Sequence, residues 1–132
     1  MNPSEILKVR TGQHECYDRV VVDVDGPPAG YHAEYVSQVF SDPKGDVVTV
    51  PGGARIQFTV RHPDNHNTPT IGHQVASTAG FRTLRSVVFA GSFEGVTTYG
   101  VGTRARLPFR VFTLPKTSTT PGRIVLDVAH RW

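Results

Sequence analysis

Two segments of this 132-residue chain repeat one pattern, and the repeat restricts the fold more than any other feature. Residues 18–24 read DRVVVDV and residues 122–128 read GRIVLDV. Alternate side chains of a β-strand lie on the same face, so each copy would have one aliphatic face and one face with an Arg and an Asp. The pattern therefore predicts two β-strands, each with its aliphatic face in a core and its charged face in water.

The faces of the two predicted strands can be assigned by residue. The aliphatic faces would consist of Val20, Val22 and Val24 in the first copy, and of Ile124, Leu126 and Val128 in the second. The charged faces would carry Arg19 and Asp23, and Arg123 and Asp127. Within one copy Arg and Asp are roughly 13 Å apart, too far to pair.

Two interpretations of the charged faces remain open. If the copies or their neighbours run antiparallel, the Arg of one strand can oppose the Asp of another and set the register. Alternatively, the two faces present Arg and Asp to a ligand. Spacing alone does not decide between a charge ladder and a binding surface.

The rest of the chain also favours β-structure. Period-two alternation extends through residues 31–40, 54–60, 84–93, 95–102 and 107–114. Turn signals recur every 8–12 residues, and the chain contains 13 Gly and 10 Pro. About eight or nine antiparallel strands in a sandwich or barrel are predicted.

A few local features complete this prediction. The segment at 107–114 should begin at a sheet edge because Pro108 lacks an N–H donor. Glu94 and Gly95 should form a turn between two strands. The only candidates for short helices are residues 3–8 and 72–78.

Length and composition indicate one domain covering residues 1–132. No apolar run is long enough to span a bilayer, and residues 1–10 lack the apolar core of a signal peptide. Either the protein is cytosolic, or its targeting segment lies outside this chain. Cys16 is the sole cysteine, so no disulfide can form within the chain.

Charge is unevenly distributed along the chain, although the net charge is only +3. Residues 1–50 sum to −4, residues 51–100 to +2 and residues 101–132 to +5. The basic C-terminal third either attracts an anionic polymer or forms part of a solvated surface with charges of both signs. Basic and aromatic residues alternate only at residues 109–112 (FRVF), so no nucleic-acid partner is expected.

Several motifs resemble those of a known family. They are the G-x5-DRVV pattern at residues 12–21, FEGV at 93–96 with GVG at 100–102, PFRV at 108–111 and RIVLDVAH at 123–130. Over residues 8–130 the chain resembles the AMIN-like domain of exported proteins and lipoproteins of actinobacteria, including mycobacteria. That domain is named for its similarity to the AMIN domain, the localisation module of cell-wall amidases.

The resemblance implies an antiparallel β-sandwich of two related sheets without catalytic residues or cofactors. It also implies an exported, envelope-located protein that binds peptidoglycan or another anionic wall polymer, with membrane attachment only through a lipid anchor outside this chain. The residues carried over to the ligand site are Arg19, Asp23, Arg110, Arg123 and Asp127. The alternative function is a protein–protein interaction module of the envelope that uses exposed strand edges such as residues 107–114.

Other reactive residue types form no convincing site. Pro63 and Pro69 prevent a helix from presenting His62, His66 and His73 together, so we expect a polar loop and no metal. Cys16 is adjacent in sequence to possible base residues, but neighbouring strand residues point to opposite faces. No catalytic triad or pair of catalytic carboxylates is present, and the chain is not expected to be an enzyme.

Overall fold

The computed structural model describes residues 4–64 and 69–132, which form ten β-strands. Within those two ranges there is no helix, as expected for an all-β fold. The strands are β1 (Ile6–Gln13), β2 (Tyr17–Val24), β3 (Tyr31–Val36), β4 (Val39–Phe40), β5 (Val47–Val48), β6 (Ala54–Val60), β7 (Leu84–Phe93), β8 (Val96–Thr103), β9 (Phe109–Leu114) and β10 (Gly122–Ala129).

Two four-stranded antiparallel sheets face each other as a sandwich, which confirms the predicted fold class. The first sheet has the order β1-β2-β10-β9, and the second has the order β3-β6-β8-β7. The two similar segments, β2 and β10, are neighbouring central strands of the first sheet and run antiparallel. The repeat therefore builds the middle of one sheet from two copies of one pattern.

The core lies between the sheets and follows the predicted alternation. All six aliphatic residues assigned to the inner faces of β2 and β10 are buried, at 0% exposure. They pack in one cluster with residues from the second sheet, including Ile56, Phe58 and Val60 of β6. Burial of such side chains contributes about 1.5–3 kcal/mol each, so this cluster holds the two sheets together.

A two-stranded hairpin, β4 and β5, lies over the other side of the second sheet. Its Val39 and Val48, together with Val50, form a smaller buried cluster with residues of β7. The hairpin segment approaches β8 at two glycines of the GVG motif. A Cβ on Gly100 would meet the Val50 side chain, and one on Gly102 would meet the backbone of Pro51. These glycines are needed because a side chain would separate the layers.

Neither of the two candidate segments forms a helix. Residues 6–8 belong to strand β1, which pairs with β2, and residues 72–78 form an irregular segment beside β7. A register shift between Ile6 and Lys8 explains the first error. This bulge brings Ile6 and Val9 to the core although they are three residues apart, a spacing that imitates a helix.

Other local predictions are confirmed. β9 begins directly after Pro108 and forms an edge of the first sheet. The turn between β7 and β8 contains Glu94 and Gly95, both with positive φ (52° and 79°). The predicted strand at residues 31–40 is divided into β3 and β4.

His62 connects three parts of the chain at one end of the sandwich. The ring is fully buried, its Nδ1 lies 2.6 Å from the Ser4 carbonyl oxygen, and its Nε2 accepts a hydrogen bond from the Ala29 N–H (2.8 Å). Only the neutral ring with a proton on Nδ1 satisfies both contacts. His62 therefore has a structural role in joining the N-terminal segment to the loop between β2 and β3.

Stability should fall in acid because of His62. Burial lowers the pKa of His62 from its ordinary value of 6.5, while the contact with Ser4 opposes this shift. Below pH 6.5 the unfolded chain takes up a proton that the folded ring resists, so the free energy of unfolding decreases. Urea unfolding measures the free energy of unfolding at pH 7.5 and at pH 5.5. The decrease between the two pH values should be smaller for His62→Gln than for the wild type, because the glutamine amide can make both contacts without titrating. An equal pH dependence in both proteins would contradict this role.

Candidate functional site: the outer face of the β1–β2–β10–β9 sheet

The side of the first sheet that is turned away from the core, hereafter the outer face, contains all five predicted site residues. The pairing registers place side chains in three rows across the four strands. In strand order the rows are Lys8, Asp23, Arg123 and Leu114; Arg10, Val21, Val125 and Phe112; and Gly12, Arg19, Asp127 and Arg110. Five basic and two acidic side chains give this face a net charge of +3.

Asp127 binds two arginines from neighbouring strands. Arg19 donates from Nε and Nη2 to the two carboxylate oxygens (2.7 and 3.0 Å). Arg110 donates from Nε to one of those oxygens (3.0 Å), and its Nη2 lies 3.0 Å from the same oxygen as an ion pair. Charge-assisted bonds of this kind are stronger and more directional than neutral ones, so Asp127 orients both guanidinium groups.

Aromatic rings also contact this arginine pair. The Arg19 and Arg110 guanidinium carbons each lie 5.3 Å from the Tyr17 ring centroid. They lie 5.5 and 5.4 Å from the ring of Phe112. Cation–π contacts at this distance are favourable and restrict the guanidinium groups further. The two guanidinium groups are therefore held in fixed positions and together form a cationic surface.

A second ion pair lies on the same face. Asp23 accepts bonds from Arg10 Nε (2.7 Å) and Nη2 (3.2 Å). Arg123 stands opposite Asp23 in the register, but it is Arg10 that donates to both carboxylate oxygens. The Arg123 Nε is buried and has no hydrogen-bond partner in the described part of the chain.

The carboxylates raise the pKa values of their arginine partners. The hydrogen bond to Asp127 is the main cause of the raised pKa of Arg19, and the bond to Asp23 is the main cause for Arg10. Burial acts in the opposite direction in both cases. Both guanidinium groups consequently remain charged at any physiological pH.

The charge-ladder interpretation of the repeat is confirmed. Arg19 stands opposite Asp127, and Arg123 stands opposite Asp23, on adjacent antiparallel strands. One of these two opposed pairs forms its ion pair directly, whereas Arg10 replaces Arg123 in the other. The ladder does not exclude ligand binding because both aspartates hold arginines that still reach the surface.

The prediction that the aspartates project into water is wrong. Asp23 is 1% exposed and Asp127 is 3% exposed, because long arginine side chains from neighbouring strands cover them. The arginines are partly exposed: 23% for the Arg19 side chain and 63% for Arg110.

Two important residues were not predicted from the sequence. Arg10 belongs to the outer face, and the alternation of Lys8, Val9 and Arg10 was the available signal. Asp18 lies on the inner face of β2. Because it is two residues before Val20, the alternation of the strand could have placed it there. Asp18 is fully buried and accepts hydrogen bonds from the backbone N–H groups of Thr83 and Leu84.

The histidines and the cysteine provide no metal site in the described residues. His62 is buried and His73 is exposed, while His66 lies outside the described residues. No group of three His, Cys, Asp or Glu residues that could hold a metal is found within 4–64 and 69–132. Cys16 is exposed and unpaired.

Comparison with protein families assigns the chain to a family. The family model of the AMIN-like domain matches residues 4–130, nearly the whole chain. The chain belongs to the AMIN-like family. AMIN-like domains occur in exported envelope proteins and are generally noncatalytic binding modules associated with the cell wall. A search of curated proteins finds no significant match to this AMIN-like chain.

No helix in the described parts of this AMIN-like domain is long and apolar enough to cross a bilayer.

Replacing Asp127 should both destabilise the domain and release the arginine pair. In Asp127→Asn the two guanidinium groups repel each other without a compensating charge. We expect a loss of about 1–2 kcal/mol, reduced by the solvent exposure of the arginines. Urea unfolding gives the free energy, and the side-chain Nε–H signals of Arg19 and Arg110 in NMR spectra should move to the position of free arginine. Unchanged Nε–H signals would show that Asp127 does not orient the pair.

Proposed function

We propose that this AMIN-like domain is a noncatalytic module that binds peptidoglycan or another anionic polymer of the cell envelope through the outer face. The observation that supports this most is the pair of buried aspartates, each of which holds guanidinium groups at the surface of a face with net charge +3. If the charges of this face served only to set the register of the strands, equal numbers of cations and anions would be enough.

The arginines retain hydrogen-bond donors for a ligand. Arg10, Arg19 and Arg110 each use Nε and Nη2 to bind a carboxylate. The Nη1 groups of these three make no hydrogen bond to the described residues, and each carries two protons. These groups would bind carboxylates of stem peptides or phosphates of a wall polymer.

The five residues carried over from the resemblance take two roles in this proposal. Arg19, Arg110 and Arg123 contact the ligand, and Arg10 joins them. Asp23 and Asp127 act as positioning residues because their oxygens are covered. Each contact is weak, and the sum of several gives modest, salt-sensitive affinity.

Co-sedimentation with purified sacculi tests the proposal. Arg19→Gln/Arg123→Gln should bind at least tenfold more weakly than the wild type, while Lys44→Gln/Arg61→Gln removes the same charge elsewhere and should bind normally. Raising the salt concentration from 50 to about 500 mM should weaken wild-type binding strongly. Equal retention of all three proteins would overturn the assignment of the outer face.

Partner binding at a strand edge has weaker support. β9 is an edge strand, but the Tyr31 hydroxyl donates to the Val111 carbonyl (3.3 Å) and the Tyr35 hydroxyl donates to the Leu107 carbonyl (2.5 Å). Acceptors along this edge are therefore partly occupied. An actinobacterial source, a lipid anchor and a relation to the amidase module stay predictions of the resemblance.

A further inference from the structure

A small pocket lies in the middle of the outer face. Its volume is about 210 Å³. The side chains of Arg10, Arg19 and Arg123 surround it, and Val21 and Val125 contribute apolar surface. We call it the arginine pocket. The three arginines come from the three adjacent strands β1, β2 and β10.

Arg123, which lines the arginine pocket, has one donor without an acceptor. The Nε of Arg123 is buried, and no described residue accepts its hydrogen bond. Nearly all buried polar groups in proteins have a partner, so an unpaired donor beside a pocket calls for an explanation, and an acceptor that enters the pocket would supply one. Asp23, the acid opposite Arg123, accepts its hydrogen bonds from Arg10 and none from the Arg123 Nε.

The charge balance of the pocket calls for an anion. No acidic side chain lines it. Among the pocket arginines, Arg10 binds Asp23, and Arg19 binds Asp127, which Arg110 shares. Arg123 has no carboxylate partner among the described residues, so the pocket has an excess of positive charge that favours an anion.

The placement of the donors distinguishes between anions of equal charge. The three arginines stand on three strands and in three different rows of the outer face: Arg123 in the first, Arg10 in the second and Arg19 in the third. The two oxygens of a carboxylate, in contrast, lie in one plane with their substituent. A tetrahedral phosphoryl group directs its oxygens out of any single plane and can engage several guanidinium groups together. We propose that the arginine pocket binds the phosphoryl group of a phosphodiester. The inference rests on the proposed function, since it makes the outer face a ligand surface and names the chemical group that enters it.

Titration followed by NMR tests the pocket directly. Dimethyl phosphate and acetate each carry one negative charge. At constant ionic strength, a difference between their effects therefore reflects the shape of the anion and not its charge. The Nε–H signal of Arg123 should shift saturably with dimethyl phosphate, at a concentration at least tenfold below that needed for acetate. Equal responses to both anions, or no saturable response to dimethyl phosphate, would overturn the proposal.

Two variants locate the response within the outer face. In Arg123→Gln the Nε–H signals of Arg10 and Arg19 should no longer respond to dimethyl phosphate. Lys44→Gln removes an exposed cation between β4 and β5, away from the outer face, and the response of Arg123 should persist in this variant. A response of Arg10 and Arg19 that is unchanged in Arg123→Gln, or a response of Arg123 that is lost in Lys44→Gln, would contradict the proposed location.

A second set of probes separates this inference from the proposed function. Sacculi treated with hydrofluoric acid lose phosphodiester-linked polymers, and vesicles of phosphatidylglycerol present the same group on a lipid. Arg123-dependent binding to untreated sacculi or to these vesicles supports the phosphodiester and identifies its source. Equal retention on treated and untreated sacculi without a phosphate response would leave the proposed function standing and reject the inference. A saturable response to dimethyl phosphate without retention on any sacculi would support the phosphodiester pocket and reject the proposed binding to the cell wall.

Discussion

Asp18→Ala is expected to lower the free energy of unfolding by about 4 kcal/mol, the largest loss that we predict for a single residue. One Asp18 carboxylate oxygen accepts bonds from the backbone N–H groups of Thr83 (2.7 Å) and Leu84 (3.0 Å). The other oxygen lies 2.8 Å from Nε2 of His130. Because Asp18 is on β2 and Leu84 begins β7, this carboxylate joins the two sheets.

Removal of the carboxylate leaves two buried N–H groups unpaired, at about 1–3 kcal/mol each. Thermal unfolding followed by circular dichroism should show a decrease in Tm of roughly 10 °C or more. Asp18→Asn is the matched control, since its amide oxygen still accepts from the backbone, and it should lose less than half as much. If both variants lost the same small amount, the two N–H groups would not depend on Asp18.

Gly102→Ala should destabilise the domain by about 2–3 kcal/mol because the added methyl group has no space. A Cβ at Gly102 would overlap the backbone carbonyl of Pro51 and would also meet the Ser86 hydroxyl. A backbone carbonyl in a packed segment cannot rotate away as a side chain can. The segment before β6 would therefore have to separate from β8.

Gly12→Ala supplies the control for this change. Gly12 is also in a strand, but a Cβ there would have only the His14 ring as a neighbour, at 3.9 Å. The alanine should be neutral or slightly stabilising because it reduces the entropy of the unfolded chain. Urea unfolding of both variants measures the difference, and equal free energies would show that β8 and residue 51 are not held in close contact.

Much of the sandwich could be predicted from the sequence because alternation reports directly which side of a strand is buried. The predicted inner residues of β2 and β10 are all in the core. The position of Arg19 opposite Asp127 could also be predicted, because antiparallel pairing of the two copies aligns the Arg of one with the Asp of the other. Strand β1 was missed since its bulge changes the spacing of apolar residues from two to three.

The environment of the site could not be predicted in the same way. Alternation places Asp23 and Asp127 on the outer face, but it does not show which long side chains from neighbouring strands cover them. Burial of these carboxylates depends on Arg10, Arg19 and Arg110, and hence on the strand order β1-β2-β10-β9. That order is a tertiary property with no local signal, and the unpaired Nε of Arg123 follows from it.

The central claim is that the outer face contacts the envelope polymer, and NMR perturbation mapping with soluble cell-wall fragments tests it most directly. The account predicts that shifted signals cluster on β1, β2, β10 and β9, with the Nε–H groups of Arg19 and Arg123 among the largest. Residues of the second sheet should remain unaffected. Shifts confined to the second sheet or to the β3 edge, with the outer face silent, would contradict the claim.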